Sequence, residues 1–169
     1  MSVYVAGNGP PLLLVHSVNA AASAAEVRPL HEHYSKTRTV FSPDLPGYGF
    51  SDRSDRAYTP RLMTDALHAV AGLIRKRCGT ARFDALALSL SCEFLARAAT
   101  EAPAHYRSLA LVSPTGFSGG GERRGPAGST REMPLLLKAL RGPGWGGGLP
   151  HFEVPARFFA ACDDFLANA

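Results

Sequence analysis

The sequence is poor in features that would announce a function at once. Its three cysteines, Cys78, Cys92 and Cys162, are widely spaced and odd in number. That excludes a disulfide framework and a zinc site, so no metal and no cofactor is expected. A reducing, cytoplasmic setting follows. The formal charge is only +4, and the densest basic groups, Arg75-Lys76-Arg77 and Arg123-Arg124, stand far apart. Without a basic stripe interleaved with aromatics, nucleic acid is not an expected partner. No stretch approaches membrane-spanning length, and the N-terminus lacks a charged segment leading into an apolar run. Neither a membrane span nor a signal peptide is expected. The chain also holds no Gly-Lys pair, so the Asp-x-Pro-Gly of "DLPGYG" cannot belong to a nucleotide-binding site with a phosphate-loop lysine.

What remains is the composition of one ordinary globular domain over residues 1–169, 46% apolar and 19% charged. "SVYVAG" and "PPLLLVH" are short apolar runs separated by "GNGP", which predicts two strands joined by a tight turn. "TRTVFSP" predicts a third strand. "TPRLMTDALHAVAGLIRKRCG" predicts a helix capped by Thr59, with Pro60 in its first turn and Gly79 at its end. "FDALALS", "CEFLARAAT" and "YRSLALVSP" continue as strand, helix and strand. Strands alternating with helices predict an α/β fold, a mostly parallel sheet with helices on both faces. Residues 114–150 are rich in Gly, Ser and Pro and read as a lid or linker around one short helix. The chain closes on an amphipathic helix carrying Phe158, Phe159, Cys162, Phe165 and Leu166 on one face.

Within that frame "DALALSLSCEF" runs from a buried strand into a helix, with Ser89 and Ser91 at the join. Together with "PPLLLVHS", "DLPGYGFSDRS" and "LPHFEVPARFFAACDDFL", in this order, it resembles the α/β-hydrolase superfamily, the esterase- and lipase-like serine hydrolases. The resemblance implies a nucleophile on a sharp strand-to-helix turn, where strain demands small neighbours two places to either side. Around Ser89 these are Ala87 and Ser91, where the family has glycines; around Ser91 one would be the bulkier Glu93. Ser89 is therefore the nucleophile candidate. By the same resemblance His151 is the base, matched by its pKa to proton transfer near neutrality. The amides of Val18 and Leu90 are the oxyanion donors, His16 is structural, and Asp44 orders its loop through side-chain to backbone bonds.

The family's order of Ser, acid, His leaves a gap here, because no aspartate stands between Ser89 and His151. Glu122 and Glu132 are the candidate acids, although Ser129 and Glu132 are also spaced as a helix capping box. The 36 residues from Thr115 to Pro150 are too few for the lid and two further strands, so a shortened fold is expected. The strand at Leu109–Val112 would then be an exposed edge, across which a homo-oligomer is expected. The sequence thus predicts a slow serine hydrolase of small carboxylic esters. The alternative is a catalytically inactive remnant of the fold serving as a binding module.

Overall fold

A computed structural model of the protein describes residues 1–80, 82–115 and 155–168. Five short apolar runs become strands: β1 (Val3–Ala6), β2 (Pro11–Val15), β3 (Thr39–Pro43), β4 (Phe83–Leu88) and β5 (Tyr106–Val112). They form one sheet in the order β1-β3-β2-β4-β5. The pairs β2–β3, β2–β4 and β4–β5 are parallel, and β1 is antiparallel to β3.

Among the described residues four helices cover it: α1 (Arg28–Tyr34), α2 (Pro60–Cys78), α3 (Ser91–Glu101) and α4 (Pro155–Ala167). The period-2 alternation of the strands decides which helix meets which residue. Leu13, Phe41, Ala85 and Ala87 point to one face and pack with Leu67, Val70 and Ile74 of α2 and Leu95 of α3. Leu12, Leu14, Val40, Leu86 and Leu88 point to the other, against Leu30 and Tyr34 of α1 and Cys162 and Leu166 of α4. Each fully buried leucine of this kind contributes about 1.5–3 kcal/mol by leaving water. The central strand β2 is apolar throughout, and β4 is so but for Asp84, because both faces are covered, as a parallel sheet requires.

The caps of α2 follow the sequence. Thr59 accepts from the Leu62 amide, Pro60 occupies the first turn, and Gly79 closes the helix at φ +63°. Arg75, Lys76 and Arg77 lie in the last turn, where the helix dipole favours cations.

The first two strands depart from expectation, since β1 and β2 do not pair with each other and β3 lies between them. The Gly7–Pro10 connection crosses the entry to β3. Cβ atoms at Gly7 and Gly9 would meet the backbone of Ser35, Thr37 and Arg38 at 2.1–2.4 Å, and both residues have positive φ. Glycine is needed there for close passage rather than for a hairpin turn. A 3-10 turn (Ala24–Val27) and α1 fill residues 24–34, where no periodicity announces them.

At the amino end of β4, Asp84 is fully buried, a carboxylate in an otherwise apolar strand. It accepts from Arg38, from Arg107 of β5 and from the Ser108 hydroxyl at 2.6 Å. Burial alone would raise its pKa, but the bonds from Arg107, Ser108 and Arg38 outweigh that and hold it below the ordinary carboxylate value. Arg38 also donates to the carbonyl of Leu166 in the last turn of α4. The C-terminal end of α4 is thereby tied to the base of the sheet.

Candidate active site

The strand order reverses between β2 and β4. From β2 the chain continues to β3 on one side, and β4 is laid down on the other. In open parallel sheets, ligands bind in the crevice outside the carboxyl ends of the strands at such a reversal. Val15 and Ala87 are partners in the register of β2 and β4. The segments that follow them, 16–18 and 89–90, therefore leave the sheet side by side, about 4.8 Å apart at their origin.

Ser89 is the first residue beyond β4, with φ +54°. Only Ser89 and Ser113 among the non-glycine residues described have positive φ. A side chain in this left-handed region costs about 1 kcal/mol or more and persists only where its surroundings enforce it. Here they do. The Ser89 amide donates to the carbonyl of Val112 at 2.9 Å, its carbonyl accepts from Cys92 at 3.1 Å, and α3 starts two residues later. Ala87 and Ser91 flank the turn with no solvent exposure. The Cys92 thiol, buried behind the turn and bonded to the Ala87 carbonyl, is pushed up to about 11 by that burial. It stays protonated and inert.

At the start of α3 the Leu90 amide has no acceptor among the described residues, as expected for a first-turn N–H. The same holds for the Val18 amide across the crevice. Two unspent donors thus stand at the ends of neighbouring strands, one of them at the positive end of an eleven-residue helix.

The loop carrying Val18 is fixed on both sides. His16 is fully buried; its Nδ1–H donates to the Ser17 carbonyl at 2.6 Å, and Nε2 accepts from the Leu45 amide at 3.0 Å. Accepting at one nitrogen makes the ring neutral, and burial lowers its pKa accordingly. The ring stacks edge-on against Tyr48 with centroids 5.4 Å apart. His16 is therefore a structural post, spent on two backbone bonds. On the other side Glu26 accepts the Ser17 amide at 2.9 Å and the Asn19 side chain at 2.7 Å. Burial works against its charge, but the bonds from Ser17 and Asn19 prevail and lower its pKa. Motif reasoning missed Glu26; a carboxylate clasping a loop nine residues upstream leaves no spacing signature.

Asp44 behaves as a loop organiser. Its carboxylate accepts the amides of Ala24 and Phe50, at 2.7 and 2.9 Å, and the Tyr4 hydroxyl at 3.1 Å. Gly49 has φ +51°, and a Cβ there would lie 2.2 Å from the Asp44 carboxyl group. The glycine is fixed by this carboxylate.

A second serine–histidine contact, His31 Nδ1 to Ser42 Oγ at 2.8 Å, lies elsewhere. Ser42 is the penultimate residue of β3 and is buried, and with His31 it lines a separate cavity beside the start of α1. His151, Glu122 and Glu132 lie outside the described residues. Among the described residues no group of three or more His, Cys, Asp and Glu could hold a metal ion. Nor is any described helix long and apolar enough to cross a membrane.

A cavity of about 710 Å³ opens beside the Val18 loop, bounded by Asn19 and its successors and by the loop from Gly47 to Tyr58.

Comparison with known proteins agrees with this architecture. Residues 12–168 match the model of the alpha/beta hydrolase family. No curated protein matches the sequence. Among solved structures, an alpha/beta hydrolase fold protein from Burkholderia ambifaria is 24% identical, with a TM-score of 0.60 over 84% of this chain and 54% of its own. E-2-(acetamidomethylene)succinate hydrolase is 27% identical, with a TM-score of 0.56 over 68% of this chain and 41% of its own. The 2-hydroxy-6-oxo-6-phenylhexa-2,4-dienoate hydrolase of Rhodococcus sp. strain RHA1 is 23% identical, with a TM-score of 0.59 over 67% and 42%. The chain spans about half or less of the length of each.

Proposed function

Because the chain belongs to the alpha/beta hydrolase family, we propose that it hydrolyses small carboxylic esters through a serine nucleophile, Ser89. The observation that carries this reading is the φ of +54° at Ser89, imposed at the carboxyl end of β4 between two unspent amides. A serine kept in a costly conformation at a strand reversal is better explained by chemistry than by packing. The likeness to the 27%-identical succinate hydrolase supports a small-molecule substrate.

In this mechanism Ser89 Oγ attacks the ester carbonyl and its proton passes to His151. The tetrahedral oxyanion is held by the Val18 and Leu90 amides, with the dipole of α3 behind the latter. The C–O bond to the alcohol breaks as His151 returns the proton to the departing oxygen. Water then attacks the acyl-Ser89 ester by the same route in reverse, releasing the acid. Glu122 or Glu132 would orient the imidazole; a poorly held base makes the reaction slow without abolishing the oxyanion contribution.

One observation favours a second reading, a non-catalytic binding module. Ala87 and Ser91 replace the glycines that relax such a turn, and the Ser91 hydroxyl is buried without a partner. Hydrolysis of 4-nitrophenyl acetate by the wild type and by Ser89→Ala separates the two. The esterase reading expects the variant to fall at least 1,000-fold, to background. Equal rates would overturn it. Mapping a fluorophosphonate adduct to Ser89 would identify the nucleophile directly.

The proposal includes a homodimer across β5, whose outer edge has no strand partner among the described residues and whose Leu109–Val112 are half-buried. A monomer in gel filtration at micromolar concentration would refute it.

A further inference from the structure

The 710 Å³ cavity beside the oxyanion loop is bounded on one side by Asn19 and its neighbours, and on the other by Gly47, Tyr48, Gly49, Arg53 and Tyr58. Among the described residues that line it, Arg53 alone carries a formal charge. Its situation is unlike that of the other arginines in well-defined pairs. Arg28, Arg38, Arg56, Arg61, Arg97 and Arg107 each hold a carboxylate. Arg53 has no carboxylate partner among the described residues and donates only to the Gly49 carbonyl, at 2.9 Å. The adjacent Asp52 is spent on Arg56, on the Ser54 amide and on the Ser54 hydroxyl.

The segment carrying Arg53 is built in advance. The Gly47 amide donates to the Asp52 carbonyl at 3.0 Å, and the Tyr58 hydroxyl donates to the Ser54 carbonyl at 2.9 Å. The Tyr58 ring lies over Gly47 so closely that a Cβ there would be 2.6 Å from it. One guanidinium bond anchors Arg53 within its own loop and leaves most of the fork free, in the geometry that matches a carboxylate. A preformed cavity whose wall begins at Asn19, the residue after the Val18 amide, and which carries one positive charge among its described lining residues, suits an anion on the substrate.

We propose that Arg53 is a specificity residue that binds a free carboxylate on the substrate, so that preferred esters are monoesters of dicarboxylic acids. The assignment rests on the Ser89 reading for its chemistry, but not for its binding site. It is tested by comparing mono-4-nitrophenyl glutarate with 4-nitrophenyl acetate in the wild type, Arg53→Gln and Arg53→Lys. The ratio of kcat/KM for glutarate over acetate should fall about tenfold in Arg53→Gln, and less in Arg53→Lys, which keeps the charge but not the fork. An unchanged ratio overturns the assignment. Calorimetric titration with glutarate gives a readout independent of turnover. Binding to the wild type and at least tenfold weaker binding to Arg53→Gln upholds the carboxylate site even where neither ester is cleaved, in which case the Ser89 reading alone fails. No glutarate binding, or equal binding to both proteins, overturns the site whatever the esterase result.

Discussion

The two ends of β4, marked by Asp84 and Ser89, are five residues apart and differ in kind. At its amino end a buried carboxylate meets two arginines and a hydroxyl, and its bonds are made within the fold. At its carboxyl end a serine is held in a strained conformation, the Val18 and Leu90 amides have no acceptor among the described residues, and a buried hydroxyl lacks a partner. One end turns burial into stability by matching every charge. The other keeps donors unspent where charge would develop in a reaction. A strand apolar but for Asp84 thus anchors the sheet at one end and, on the proposed esterase reading, presents its nucleophile at the other.

Removing the matched end should have the largest effect. Asp84→Ala leaves Arg38 and Arg107 without their carboxylate, so a loss of about 3 kcal/mol is expected. Urea unfolding followed by circular dichroism measures it, and a change below about 1 kcal/mol would mean that the network is not an anchor. At the other end, Glu26→Gln weakens the clasp on the Ser17 amide. About a tenfold loss in kcat, with KM little changed, is expected if the clasp positions the Val18 donor for the transition state. A change in KM alone would assign Glu26 to substrate binding.

Ser89→Gly tests the strain itself. It removes the Cβ at φ +54° and should raise stability by about 1 kcal/mol while ester hydrolysis disappears. Opposite signs for stability and activity at one position would sharpen the contrast between the two ends; a destabilised variant would break it. The smallest effect concerns pH. Burial lowers the pKa of His16 below 6.5, so below about pH 6.5 the unfolded chain takes up a proton that the folded chain refuses. Stability from neutral His16 is complete above that pH and is lost as pH falls. The urea midpoint should drop between pH 7 and 5.5, and less so in His16→Asn. Part of the drop would remain in the variant, since burial also lowers the pKa of His31.

The sequence made the central part of this molecule legible, for physical reasons. Buried parallel strands are apolar throughout, and α2 carries its cap, proline and terminal glycine in plain view, so "FDALALS" and residues 60–78 could be read directly. Ser89 stood out because a strand meets a helix there. The two small neighbours, Ala87 and Ser91, favoured it over Ser91 as the centre of the turn. Local reasoning failed where partners are distant. β1 and β2 read as a hairpin because they are adjacent in sequence, yet β3, some thirty residues on, separates them. α1 has only seven residues, too few to display a period. Glu26 acts through backbone amides, which carry no sequence signal. Asp84 did leave one, a lone acid in an apolar strand, which requires a partner wherever it is found.

The strand order also has a temporal side. β1 is made first, yet its single neighbour, β3, is complete only when residue 43 has been added. A nascent chain therefore carries Val3–Ala6 without a partner through the synthesis of β2 and α1. β2, by contrast, ends with a neighbour on either flank and becomes the seed on which β3 and then β4 are laid. The β1 edge can thus be completed as soon as β3 has been made, whereas the β2–β4 junction waits for β4 and the opposite edge waits for β5.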